Sequence, residues 1–149
     1  MILFDSSVII DARDPNSSFH DWAKRQIASA VQEGGEGGAV NTVVVSEASV
    51  RAENRDAVPH MLESLGLALI PLPVSAAVPA AKAFAIYLDR LKREGKGNEY
   101  RIPLPDFLIG AHAKAEGMKL ATHDLARVKT YFPDLLLITP NSTESTKVP

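Results

Sequence analysis

The sequence predicts an α/β fold: a single domain with a central, mostly parallel five-stranded sheet flanked by helices. Three observations predict it. Short apolar runs recur at Ile2–Phe4, Ala39–Thr42, Leu67–Ile70, Lys119–Thr122 and Leu135–Ile138. The stretches between them return their apolar residues at helical spacing. No internal repeat or composition break divides the chain into two folding units. Short strands alternating with amphipathic helices call for a parallel sheet covered on both faces. The domain is expected to span 1–140, with 141–149, polar and aperiodic, as a loose tail.

Each element has its own signal. Ile2-Leu3-Phe4 reads as the first strand, with Asp5 at its end and Val8-Ile9-Ile10 as a helical turn or continued bend. Asp14 to Ser18 is turn chemistry, with Ser17 or Ser18 placed to cap a helix. Phe19, Trp22, Ala23, Ile27, Ala30 and Val31 share one face of that helix. The glycine-rich run 34–38 ends it. After the second strand, the valines of 43–51 favour a strand, whereas Ser46-Glu47-Ala48-Ser49 favours a helix; the helix is preferred. Met61, Leu62 and Leu65 mark another helix, stopped by Gly66. Ser75 is expected to cap a long helix with Val78, Ala81, Ala85, Leu88 and Leu91 on its apolar side. Asp106 opens a helix carrying Phe107, Leu108, Ala111 and Ala115, with Gly117 as its stop. Asp124 is placed to cap a short helix ending near Phe132-Pro133.

Composition narrows the chemistry. The chain has 149 residues, 46% hydrophobic and 23% charged, enough for a core without staples. Sixteen basic residues against eighteen acidic ones give a net charge of −2. That excludes a bulk basic coat for nucleic acid but not a local basic strip. The absence of cysteine removes disulfides, thiolate metal sites and cysteine nucleophiles. No apolar run reaches the roughly 18 residues of a membrane span. The start of the chain lacks the basic and apolar regions of a secretory signal. A soluble cytoplasmic protein is the expectation.

Topology then gathers the acids. In right-handed strand–helix–strand units, strand C-termini and helix N-termini share one rim of the sheet, where ligands of open α/β folds bind. Asp5 ends the first strand, and Glu47 lies early in the helix after the second. Asp106 opens the helix before the fourth strand, and Asp124 follows that strand. Four ionised carboxylates in one small space repel, which raises their pKa values unless a cation intervenes. Mg²⁺ or Mn²⁺ suits such an all-oxygen set. Each acid also has an ordinary reading: Asp5, Asp106 and Asp124 as helix or turn caps, and Glu47 as a solvated helix residue.

These residues resemble the motifs of PIN domains. Ile2-Leu3-Phe4-Asp5-Ser6-Ser7 looks like the first motif, and Val45-Ser46-Glu47-Ala48-Ser49 resembles the glutamate-bearing second. Leu104 to Ala113 (LPDFLIGAHA) is the most specific match. Leu120-Ala121-Thr122-His123-Asp124 supplies the last acid, and Tyr131-Phe132-Pro133 with Leu137 to Pro140 resembles the closing segment. The ordered set runs from about residue 2 to residue 140. The resemblance implies a Mg²⁺- or Mn²⁺-dependent ribonuclease of the VapC toxin type. It implies an RNA substrate, a cognate antitoxin and a homodimer. Carried over by motif, Asp5, Glu47, Asp106 and Asp124 are the catalytic acids, with Asp5, Asp106 and Asp124 as metal ligands. Ser7 and Thr122 are hydroxyl supports. The segment from Arg90 to Arg101 is longer and more basic than the pattern. Lys92, Arg93, Lys96 and Arg101 are the RNA-binding candidates, weighed against a merely solvated helix end.

Other readings fit less well. A PIN-like module that binds RNA or protein without cutting is the main alternative, and the intact acidic motifs weigh against it. A phosphoacceptor switch would need adjacent acids after the first strand, where Asp5-Ser6 stands. A phosphatase with an Asp-x-Asp nucleophile would need an acid at Ser7. His112 and His123 read as packing or surface residues, and Phe19, Trp22 and Phe107 as core.

Overall fold

The structure is a computed structural model that describes residues 1–96 and 104–140. The expected tail, 141–149, and the candidate Arg101 lie outside the described residues. The sheet contains β1 (Ile2–Phe4), β2 (Gly38–Asn41), β3 (Ala68–Ile70), β4 (Lys119–Ala121) and β5 (Leu137–Ile138). Their spatial order is β3-β2-β1-β4-β5. Every neighbouring pair is parallel, so the expected mostly parallel sheet is wholly so. Seven α-helices flank it among the described residues: α1 (Ser6–Arg13), α2 (His20–Val31), α3 (Thr42–Val50), α4 (Val58–Ser64), α5 (Val74–Arg93), α6 (Leu104–Ala115) and α7 (Leu125–Tyr131).

This order fixes where a site can form. The chain steps outward from β1 to β2 to β3, then returns past β1 to lay down β4 and β5. The order therefore reverses between β1 and β4, and that is where open parallel sheets form a crevice. β1 is central, and its three residues are buried. Phe4 pairs with Ala121, so Asp5 and Thr122 leave the sheet side by side. The Asp5 N–H still donates to the Ala121 carbonyl at 2.9 Å.

Several expectations were met. The segment after β2 is helical, and the Asn41 side chain caps it by accepting from the Val44 N–H at 3.0 Å. Gly66 and Gly117 adopt positive φ of 87° and 63° just past α4 and α6, where a left-handed residue ends a helix. Trp22 and Phe107 are buried in the core.

Others need correction. Residues 6–13 form a complete helix, not a single turn. Neither Ser17 nor Ser18 caps α2; Phe19 holds that position without a side-chain bond. The Ser17 hydroxyl accepts from the Phe19 N–H and donates to Asp11. Pro73, not Ser75, precedes α5. The buried stripe of α5 is Ala76, Ala80, Ala83, Tyr87 and Leu91, while Val78 and Ile86 are exposed. Small alanines allow α5 to pack closely, so helix proximity outweighed side-chain size in choosing the face. On α6 the buried face includes Ile109, Gly110, His112 and Ala113, and Ala115 is exposed.

His112 shows why α6 is anchored. It is fully buried and stands 3.1 Å from the Asn41 amide nitrogen through Nδ1. Because Asn41 Oδ1 already accepts from Val44, its amide nitrogen donates and His112 Nδ1 accepts. Burial also pushes the His112 pKa down, favouring this neutral ring.

Gly110 sets the approach of α7 to α6. A Cβ there would meet the Phe132 ring at 2.6 and 2.8 Å. Gly110→Ala is expected to cost about 1–3 kcal/mol through this overpacking. Urea denaturation followed by circular dichroism should show a lower midpoint; an unchanged midpoint would refute the contact.

Candidate active site

The rim at the carboxyl ends of β1 and β4 is built around Asp5. Its backbone carbonyl accepts from the Val8 N–H at the start of α1, but its side chain makes no cap bond. Asp5 Oδ2 instead accepts from the hydroxyls of Ser7 and Thr122, each at 2.9 Å. Oδ1 accepts a longer bond from Ser6 at 3.4 Å. Asp5 thus holds the N-cap position of α1 without a side-chain cap bond, and local and distant hydroxyls orient its carboxylate instead. Thr122 is fully buried and also accepts from the Asp124 N–H at 3.1 Å, so one hydroxyl ties both acidic segments together.

Glu47 faces this carboxylate from α3. It is half-buried and accepts from the Ser6 hydroxyl at 2.9 Å, so it is not simply a solvated helix residue. Burial raises its pKa, and the charges of Asp106 and Asp5 raise it further, against the Ser6 bond. Asp106, in the first turn of α6, has its pKa raised by burial and then by Asp5. Arg127 opposes that rise, and Asp124 adds to it. The fold thus brings Asp5, Glu47, Asp106 and Asp124 into one electrostatic neighbourhood.

Arg127 was not legible as part of this site. Its Nη1 donates to Asp106, and its Nε lies 3.1 Å from Asp124. Asp124 also caps α7 by accepting from the Arg127 N–H at 3.4 Å, so its ordinary reading holds alongside the ion pair. The available signal was the three-residue spacing from Asp124, which sets the two side chains on one helical face.

A second polar group adjoins the rim. Asp11 on α1 is 6% exposed, and its carboxylate accepts from Ser17 at 2.8 Å and contacts His123 Nδ1. His123 also packs its ring on Phe19 at 4.9 Å, and its backbone N–H donates to the Ser7 hydroxyl at 3.4 Å. Ser6, Asp11 and His123 therefore join the site through neighbours that sequence spacing does not reveal.

Among the described residues, no group of three His, Asp or Glu side chains is arranged to hold a metal ion as it stands. The donor chemistry nevertheless fits a hard divalent cation. The donors are carboxylate oxygens, Asp5 is oriented by its hydroxyls, and burial, with neighbouring carboxylate charge adding to it, raises the proton affinity of Glu47 and Asp106. Arg127 supplies positive charge to Asp106 and Asp124, so those two would have to turn from it to share a cation.

The basic candidates separate. Lys96 lines a cleft with Arg90 and Arg127, whereas Lys92 and Arg93 line a different recess with Ile86 and Asp89.

The family model described as "PIN domain" matches residues 2–132. The chain belongs to the PIN domain family. No curated protein matches it. Solved structures share this PIN fold at low identity. A chain of VapBC2 from Rickettsia felis, bound to a DNA fragment from its promoter, is 17% identical at a TM-score of 0.61, covering 93% of this chain and 98% of that one. A chain of a toxin–antitoxin complex from Klebsiella pneumoniae is 20% identical at 0.55, covering 95% and 98%. VapC20 of Mycobacterium tuberculosis, a sarcin–ricin loop cleaving toxin, is 15% identical at 0.59, covering 94% and 100%.

The raised pKa of Glu47 has a stability consequence. Between the ordinary glutamate value and the raised folded value, the folded PIN domain binds more protons than the unfolded chain. Stability therefore falls as pH rises through that window, and the penalty is complete above it. Glu47→Gln removes the penalty while keeping an acceptor for Ser6. In EDTA, its melting temperature should exceed wild type by about 1–4 °C at pH 7.5. The difference should vanish near pH 4, below the window. A variant less stable than wild type at pH 7.5 would contradict this account of Glu47.

Proposed function

We propose that the protein is a Mg²⁺- or Mn²⁺-dependent endoribonuclease that hydrolyses RNA phosphodiester bonds, the toxin of a toxin–antitoxin pair. The observation that carries this reading is the clasp on Asp5: the Ser7 and Thr122 hydroxyls orient one carboxylate beside two others whose pKa values are raised. A helix cap or surface acid needs no such arrangement. The toxin assignment draws on the PIN family and on the complexes named above. In this reading residues 1–140 form the nuclease domain, and it works in the cytoplasm. A homodimer is part of the proposal, and exposed Val78 and Ile86 on α5 offer apolar surface for a second copy.

Asp5, Asp106 and Asp124 would hold the ion, with Glu47 completing the acidic set. A divalent ion supplies Lewis-acid polarisation and activates water for in-line attack on phosphorus. The chain's own residues do the rest. Ser7 and Thr122 fix the direction of Asp5, sparing it reorientation during the reaction. Glu47, outside the proposed ligand set and with its proton affinity raised first by burial, is the carboxylate suited to accept a proton from the attacking water. Basic side chains near the rim, Lys96 among them, offset the repulsion between RNA and the acids.

A non-catalytic RNA- or protein-binding module is the second reading, favoured by the pairing of Arg127 with Asp106 and Asp124. One experiment separates the two. With Mn²⁺, purified wild type should cleave RNA, whereas Asp5→Asn should fold normally and lose at least 100-fold of the activity, on the order expected for a group central to transition-state stabilisation. Mn²⁺ should also raise the melting temperature of wild type but not of the Asp5→Asn/Asp106→Asn double variant. Cleavage by Asp5→Asn at the wild-type rate would defeat the assignment.

A further inference from the structure

We propose that the cleft between the C-terminal part of α5 and helix α7 binds the single-stranded RNA flanking the scissile phosphate. This rests on the ribonuclease reading and adds the path of the substrate. The cleft encloses about 340 Å³, with Tyr87, Arg90, Glu94, Lys96, Arg127 and Tyr131 among its lining residues. Arg127 and Tyr131 also line the small recess containing Asp106, so the cleft neighbours the acidic rim.

Its chemistry matches one strand of RNA. Two cations, Arg90 and Lys96, stand with one carboxylate, Glu94, along the cleft, all three substantially exposed, while Arg127 at its far side is paired with Asp106 and Asp124. Arg90 pairs along α5 with Glu94, its Nε 3.1 Å from that carboxylate. Tyr131, half-buried in the cleft, is held edge-on against the buried rings of Tyr87 and Phe107, at 5.8 and 5.1 Å between ring centres. A cationic edge beside one partly exposed ring, Tyr131, suits single strands, whose phosphates and unpaired bases are both accessible.

Helical geometry supplies the contrast. Tyr87, Arg90, Leu91 and Glu94 form one stripe of α5 along the cleft. Lys92 and Arg93 line the separate recess with Ile86 and Asp89. Generic attraction of RNA would draw on both groups of cations, whereas a defined path uses only the first.

The test uses full-length protein carrying Asp5→Asn, to suppress cleavage, and a fluorescein-labelled random-sequence 12-nucleotide RNA with Mg²⁺. Binding is read by anisotropy from 50 to 200 mM KCl. In that parent, Arg90→Gln/Lys96→Gln should weaken binding about tenfold and reduce the magnitude of the salt slope by roughly 1.4, two phosphate contacts at about 0.7 each. Lys92→Gln/Arg93→Gln should leave affinity and slope unchanged. Glu94→Gln should tighten binding about threefold by removing the cleft's carboxylate. Equal weakening by the two double variants would overturn the proposal in favour of diffuse attraction. Unchanged affinity in Arg90→Gln/Lys96→Gln would assign the cleft to something other than RNA and overturn it. Either result leaves the ribonuclease reading standing if wild type cleaves RNA; a parent that binds no RNA and a wild type that cuts none would overturn both.

Discussion

The parallel pairing of β1 with β4 is the constraint on which the rest depends. It places Asp5 beside Thr122 although 117 residues separate them in the chain. Because strand order reverses at this pair, the helices leaving β1 and β4 diverge and open a crevice. α3 and α6 present Glu47 and Asp106 to the same rim. One register therefore sets both the geometry of the acids and the repulsion among them. A shift along either strand would part the Thr122 hydroxyl from the Asp5 carboxylate.

Repulsion at the rim has to be tolerated by the fold. Three kinds of contact do this. Hydroxyl donors hold Asp5 and Glu47 in place, and on Glu47 the Ser6 bond favours the charged form while burial and neighbouring acids work the other way. Arg127 provides opposite charge between Asp106 and Asp124. Beneath the rim, Asn41 and His112 tie β2, α3 and α6 together by neutral hydrogen bonds. That support adds no further charge to a crowded acidic site.

Much of this was legible in the sequence, for physical reasons. Buried parallel strands read as short continuous apolar runs, and Gly66 and Gly117 marked helix ends through their freedom at positive φ. Alternation of strands and helices then predicted that Asp5, Glu47, Asp106 and Asp124 would share a rim. The face of α5 was less accessible, because close packing against α6 favours alanines over the larger Val78 and Ile86. Contacts between side chains far apart in sequence were hidden too. Arg127 on Asp106, and Asp11 on His123, depend on how helices meet, which local periodicity does not encode.

The account requires that the four acids, oriented by β1 and β4, form one site for a hard divalent ion. Crystals grown with Mn²⁺ and measured for anomalous scattering test this most directly. A manganese peak among Asp5, Glu47, Asp106 and Asp124, with Arg127 turned away from Asp106 and Asp124, is the predicted result. Full manganese exposure with no peak there, and Arg127 still bridging the two aspartates, would contradict the account.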